Sequence, residues 1–147
     1  MISRYLDTAF VVKCYVPEVG SDAVRSLALE TDELVTSALT GAEFAAAVHR
    51  KRREYALTQH EAAAVMSQFG KDCAEGIWTL IPVNAGILLR VTTAFASLPV
   101  SIALRAADAI HCASAVAYGL DRIYSNDRHL LGAASHFELL GVDVIAA

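Results

Sequence analysis

Cysteine is scarce in this chain, and so are the patterns that would give it a structural job. Cys14, Cys73 and Cys112 make an odd count at wide spacing, with no CxxC pair. A disulfide framework and a clustered-thiolate zinc site are disfavoured, and buried free thiols are expected. Long hydrophobic runs are missing too. Charges interrupt the apolar residues throughout, and nothing approaches the roughly 18 residues of a membrane span. No basic stretch followed by an apolar one precedes the first strand-like segment, so a cytoplasmic protein with no membrane partner is expected. Positive charge is in deficit: 12 Lys and Arg against 16 Asp and Glu give a formal net charge of −4. Such a chain has no general attraction to nucleic acid, and any binding of that kind needs a local basic patch. Linkers, internal repeats and low-complexity stretches are also wanting.

What remains is an apolar chain, 55% hydrophobic over 147 residues. That composition folds, and the length fits one compact domain, expected to span 1–147. Ser3 to Asp7 reads as a short strand ending in an acid, after which Thr8 can cap a helix that Pro17 stops. A helix from Ser21 leads to a strand over 33–36, and Glu43 opens a long helix ending in Arg50-Lys51-Arg52-Arg53. Thr58 opens the next helix, a strand follows over 77–83, and Asn84 caps a helix toward Ser97 that Pro99 breaks. Residues 103–118 are apolar nearly all round, as in a buried helix, and Gly119 closes it. A strand over 122–125, a short helix to about 134 and an edge strand over 142–145 complete the order. Short apolar strands alternating with helices imply an α/β fold. The expected sheet has four to five strands, mostly parallel, with helices on both faces.

Against that background four acids stand out, because carboxylates are costly to remove from water without a cation or hydrogen bonds. Asp7 follows a strand, where open α/β sheets place ligands; its rival role is capping the next helix. Thr40-x-x-Glu43 fits a capping box, so Glu43 also has a purely structural reading. Asp108 falls inside the apolar helix, where aspartate has poor propensity, with Arg105 and His111 three residues to either side. It is either half of an ion pair with Arg105 or a metal ligand, and His111 is expected to satisfy a hydrogen bond near it. Asp127 opens a helix and reads as an N-cap or a ligand, with Ser125 and Asn126 suited to outer-sphere binding of a hydrated ion. Taken together the acids point to a divalent-cation pocket, and all-oxygen ligands favour Mg²⁺ or Mn²⁺ over zinc. Arg50 shares the helix face of Glu43 and suits a phosphate, whereas Lys51 and Arg52 read as a solvated helix end that complements the dipole.

Tyr5-Leu6-Asp7-Thr8-Ala9, Leu39-Thr40-Gly41-Ala42-Glu43, Leu104 to His111 and Tyr124 to Leu130 resemble the motifs of PIN domains. In order and spacing they are most similar to the VapC-type toxins of bacterial and archaeal toxin–antitoxin pairs. The resemblance implies a PIN-like domain with Mg²⁺- or Mn²⁺-dependent endoribonuclease activity, leaving 5′-phosphate and 3′-hydroxyl ends. Its acidic cluster falls on Asp7, Glu43, Asp108 and Asp127; beside them, the residues' own chemistry makes Thr8, Arg50, Ser125 and Asn126 the expected supporting or RNA-contacting positions. It further implies a VapB-like antitoxin partner, and the apolar excess suits a homodimer. Two departures are visible: Ser125 stands where many members have Thr, and Ala9 where many have Ser. The rival reading is a PIN-like module that binds RNA or protein without cutting. A phosphatase using Asp-x-Asp is excluded by Asp7-Thr8-Ala9.

Overall fold

The computed structural model describes residues 1–146; Ala147, the last position of the expected domain, lies outside the described residues. Five strands form one sheet: β1 (Ser3–Leu6), β2 (Glu33–Ser37), β3 (Trp78–Ile81), β4 (Arg122–Tyr124) and β5 (Leu140–Val142). Every pairing is parallel and the order is β3-β2-β1-β4-β5. β1 is central. The chain builds outward on one side through β2 and β3, then crosses to β4 and β5 on the other. The change of direction between β1 and β4 opens a crevice at their carboxyl ends, where such sheets bind ligands.

Helices cover both faces, as parallel strands require. Successive β1 side chains point to opposite faces, so Tyr5 enters one core and Leu6 the other. The Leu6 core is closed by α1 (Thr8–Tyr15), α2 (Ser21–Leu29), α3 (Leu39–Arg53) and α4 (Gln59–Ala74). The Tyr5 core is closed by α5 (Ala85–Ser97), α6 (Ala106–Ala117), α7 (Arg128–Ala133) and a 3-10 turn at Ala134–Phe137. Asn84 caps α5 as expected, and Gly119 leaves α6 at φ +87°, a conformation that favours glycine. Among the described residues no helix is long and apolar enough to cross a membrane.

Several element boundaries differ from the sequence reading, each for a local reason. Asp7, not Thr8, caps α1, its side chain accepting from the Phe10 amide. The third helix begins at Leu39, so Thr40 lies inside it and forms no capping box with Glu43; no cap-residue side chain bonds its first turn. The apolar helix begins at Ala106 rather than 103, because Arg105 is extended at φ −88°, ψ 154°. Asp108 therefore occupies the first turn, where a carboxylate complements the helix dipole, and not the helix interior. The strand expected over 77–83 stops at Ile81, where Pro82 and the Asn84 cap intervene. The last strand is Leu140–Val142 rather than 142–145, since the Asp143 side chain accepts from the Ile145 and Ala146 amides and turns the chain.

Candidate active-site cleft

β1 and β4 are adjacent, with Leu6 opposite Tyr124, and the Asp7 amide donates to the Tyr124 carbonyl at 3.1 Å. This ladder fixes Asp7 beside the segment that carries Ser125 and Asp127. α3 brings Glu43 from the β2 side and α6 brings Asp108 from beneath. All four acids line one cleft of about 490 Å³, together with Thr8, Arg50, Arg105 and His111. The four acids singled out in the sequence are thus gathered in one place. Ser125 lies just beneath, buried and bonded to Asp7, while Asn126 is exposed and does not line the cleft.

Asp7 is 4% exposed. One oxygen accepts from the Phe10 amide at 3.1 Å and the other from the Ser125 hydroxyl at 2.6 Å. Burial dominates its titration: although Ser125 pulls the other way, the carboxyl is raised from 3.8 to about 6. Asp7 is therefore both a helix cap and a charge short of compensation.

Glu43 belongs to a side-chain chain that crosses the Tyr5 face. The Thr8 hydroxyl donates to its Oε1 at 2.6 Å, and His111 Nε2 lies 2.6 Å from the same oxygen. On the far side of the ring, Nδ1 is 2.7 Å from the Tyr5 hydroxyl. Burial and the nearby Asp7 charge push the Tyr5 pKa well up, so its hydroxyl stays protonated beside Nδ1. Because a carboxylate oxygen can only accept, the Nε2 contact is a hydrogen bond donated by the ring to Glu43. Burial works to raise the Glu43 pKa, but bonds from His111 and Thr8, with Arg105 nearby, hold it below the ordinary value. His111 thus bonds Glu43 and Tyr5 in the same cleft as Asp108, in keeping with a histidine that satisfies hydrogen bonds there. Thr40, the expected capping partner of Glu43, instead bonds the Thr36 hydroxyl at 2.8 Å inside the core.

Arg105 sits between the remaining two acids. Its Nε is 3.2 Å from Asp108 Oδ2 and its Nη2 is 3.6 Å from Asp127 Oδ2. The ion pair with Asp108 is therefore real, and Asp127 is an N-cap whose Oδ1 accepts from the His129 and Leu130 amides. Both structural readings hold without removing either acid from the cleft. Arg105 itself is a rim residue, its side chain 76% exposed.

With these engagements, no group of three or more His, Cys, Asp and Glu among the described residues is arranged to hold one ion. The donor chemistry nonetheless suits a hard cation. Asp7, Glu43, Asp108 and Asp127 share the cleft with Glu18, and among the described residues Glu43 Oε2 and Asp108 Oδ1 accept no protein hydrogen bond. Carboxylate oxygens with spare lone pairs are what Mg²⁺ and Mn²⁺ prefer.

The cleft also holds Lys13 and Glu18, which the sequence did not single out, and Lys51, which it read as a solvated helix end. Lys13 Nζ lies 2.8 Å from Glu18 Oε1, and Lys51 Nζ contacts Glu18 Oε2. Lys51 is consequently no solvated helix end. Burial tends to raise the Glu18 pKa, but the two lysines outweigh it and hold the carboxyl below its ordinary value. No local pattern announces this triad, because Lys51 of α3 meets Glu18 of the α1–α2 loop only through the tertiary fold.

No curated protein matches the chain in sequence. Among solved structures, FitAcB from Neisseria gonorrhoeae superposes with a TM-score of 0.72 at 16% identity, covering 98% of each chain. VapBC2 from Rickettsia felis, bound to a DNA fragment from its promoter, gives 0.67 at 14%, covering 97% of this chain and 98% of that one. VapC20 from Mycobacterium tuberculosis, a sarcin-ricin loop cleaving toxin, gives 0.70 at 15%, covering 88% and 93%. At such identities these likenesses establish the fold. The sequence itself matches the PIN domain family over residues 4–135, a stretch holding both β1 with Asp7 and the turn with Asp127, and the chain belongs to that family.

Proposed function

We propose that this PIN domain is a Mg²⁺- or Mn²⁺-dependent endoribonuclease and the toxin of a VapBC-type pair. One observation carries the reading: Asp7, Glu43, Asp108 and Asp127 line a single cleft at the crevice between β1 and β4. These four side chains would hold the ion. When bound, it would neutralise charge at the scissile phosphate and acidify an attacking water. The protein's own part is to fix the acids beforehand. Ser125 and the Phe10 amide hold Asp7, and Thr8 and His111 hold Glu43. Arg50, at the cleft wall and exposed, is placed to take a phosphate of the RNA. Purified protein is expected to cut total cellular RNA only when Mg²⁺ or Mn²⁺ is supplied. Cleavage undiminished in chelator would reject the metal roles.

The alternative, a module that binds RNA or protein without cutting, draws support from the engagement of Asp108 and Asp127 by Arg105. On the nuclease reading that same pairing competes with the cation. Arg105→Gln is then expected to lower the metal concentration for half-maximal cleavage by roughly 2- to 5-fold, the size of an exposed ion pair. An unchanged requirement would mean that Arg105 does not compete with the cation, and a higher one that it assists the site. A VapB-like antitoxin, a homodimer and a cytoplasmic location belong to the same reading. The exposed apolar side chains of Leu88, Leu89 and Phe95 on α5 are consistent with a protein partner. Co-expression with the product of an adjacent small gene tests the first, and sedimentation of the isolated protein tests the second.

A further inference from the structure

We propose that Lys13, Lys51 and Glu18 form a cradle, beyond the acidic end of the same cleft, for a non-scissile phosphate of a single-stranded RNA. The inference rests on the nuclease reading above. Both lysine side chains are largely shielded, at 11% and 15% exposure, and both contact the one Glu18 carboxylate. Taken by itself the triad sets two shielded cations on one anion and so carries a net positive charge, an arrangement that favours a further anion beside it. All three residues line the cleft, so a phosphate entering it can reach them.

The placement follows from the fold. α1 and α3 both leave the carboxyl edge of a parallel sheet, so they run the same way from it. Lys13 comes six residues after Asp7 and Lys51 eight after Glu43, which at about 1.5 Å per residue is roughly 9 and 12 Å down the two helices. The acids and the lysines are thus displaced along one groove, with Arg50 exposed on its wall. A chain of formal charge −4 with four acids at its centre repels phosphates overall, so an RNA strand needs a local cationic contact beside the metal end. Glu18 neutralises part of the lysine charge until the phosphate arrives and shares the cradle afterwards. The plain alternative is a strut that ties α1 to α3 and has nothing to do with RNA.

The test measures binding of a labelled mixed-sequence single-stranded RNA to the intact protein in EDTA across salt concentrations, with Mn²⁺-dependent cleavage measured in parallel. Lys13→Gln and Lys51→Gln are each expected to weaken binding about tenfold and to flatten the log–log salt slope by about 0.7. They should raise KM while leaving kcat near wild type, and Lys51→Arg should restore both. Glu18→Gln is expected to tighten RNA binding several-fold, the opposite of what a strut predicts, and it speaks even if a lysine variant folds poorly. Lys71→Gln, on an exposed stretch of α4, should change nothing. Folded lysine variants with wild-type affinity and slope, or a Glu18→Gln that weakens binding, overturn the cradle while the nuclease stands. A wild-type protein that neither binds nor cuts RNA overturns both.

Discussion

Asp7→Asn is expected to abolish cleavage and at the same time stabilise the protein in chelator at neutral pH. The two effects share one cause. Asp7 is buried, and the bonds from Ser125 and the Phe10 amide do not fully replace the water its carboxylate gives up. Its folded-state pKa is therefore raised, from 3.8 to about 6. The native state then binds the proton more tightly than the unfolded chain does. Below the unfolded value the group is neutral in both states and costs nothing. As pH rises toward 6 and beyond, the ionised form is increasingly penalised in the fold, so stability falls across that window. A rise of that size sets a ceiling of about 3 kcal/mol, and roughly 1–3 kcal/mol is the realistic range for Asn, which keeps the cap acceptor and removes the charge. For a chain of this length that is a rise in Tm of about 3–10 °C at pH 7.5, shrinking to nothing near pH 4.

Cleavage should fall by at least about 100-fold, the scale of losing one preorganised electrostatic contact. Saturating Mn²⁺ should stabilise wild type by mass action and the Asn variant much less. Thermal melts at the two pH values, with and without metal, check the set. An Asn variant that is less stable at pH 7.5 would mean that Asp7 is satisfied by its hydrogen bonds, and the case for a cation there would lose its energetic basis.

Asp7 is legible in the sequence because its position needs only two facts, that a strand precedes it and that the sheet is parallel. The same logic locates Asp127 once β4 is recognised as a neighbour of β1. Asp108 stands out in the sequence for a reason that the structure corrects. Reading the apolar helix from 103 makes the acid an interior anomaly, whereas the extended Arg105 moves it to the first turn, where an acid is favourable. Glu43 shows the reverse error. Thr40-x-x-Glu43 matches a capping box, but the helix starts one residue before Thr40, and contacts from Thr8 and His111, 35 and 68 residues away in sequence, set the carboxylate instead. The triad of Lys13, Glu18 and Lys51 is beyond sequence reasoning for the same reason. A run of four basic residues at a helix end looks solvated until the packing of α1 against α3 shows which one turns inward.

That packing is set by an aromatic cluster, and Phe44→Ala should be the most destabilising single change near the site. Phe44 follows Glu43 on α3, is fully buried and packs into the core instead of lining the cleft. Its ring stacks on Phe69 of α4 at 4.2 Å, 18° from parallel, and meets Tyr15 of α1 edge-on at 5.6 Å and 88°. One side chain thus joins three helices, and two of them carry the walls of the cleft. Truncating a buried Phe to Ala costs about 3–5 kcal/mol, because the cavity cannot be closed by three helices held independently at the sheet. Aromatic pair geometry adds to the loss. Against a total stability of about 5–15 kcal/mol for a domain, this removes a large share, with a fall in Tm of roughly 6–20 °C. Phe44→Leu, which keeps most of the volume, should cost well under half as much. Denaturant unfolding of the two variants measures both numbers. A loss below about 1.5 kcal/mol for Phe44→Ala would show that the helices can close the gap, and α1 and α3 would then be free to move relative to each other at the cleft. If the loss is as large as expected, the separation of Lys13 from Lys51, and of Thr8 from Glu43, is fixed by the core behind them.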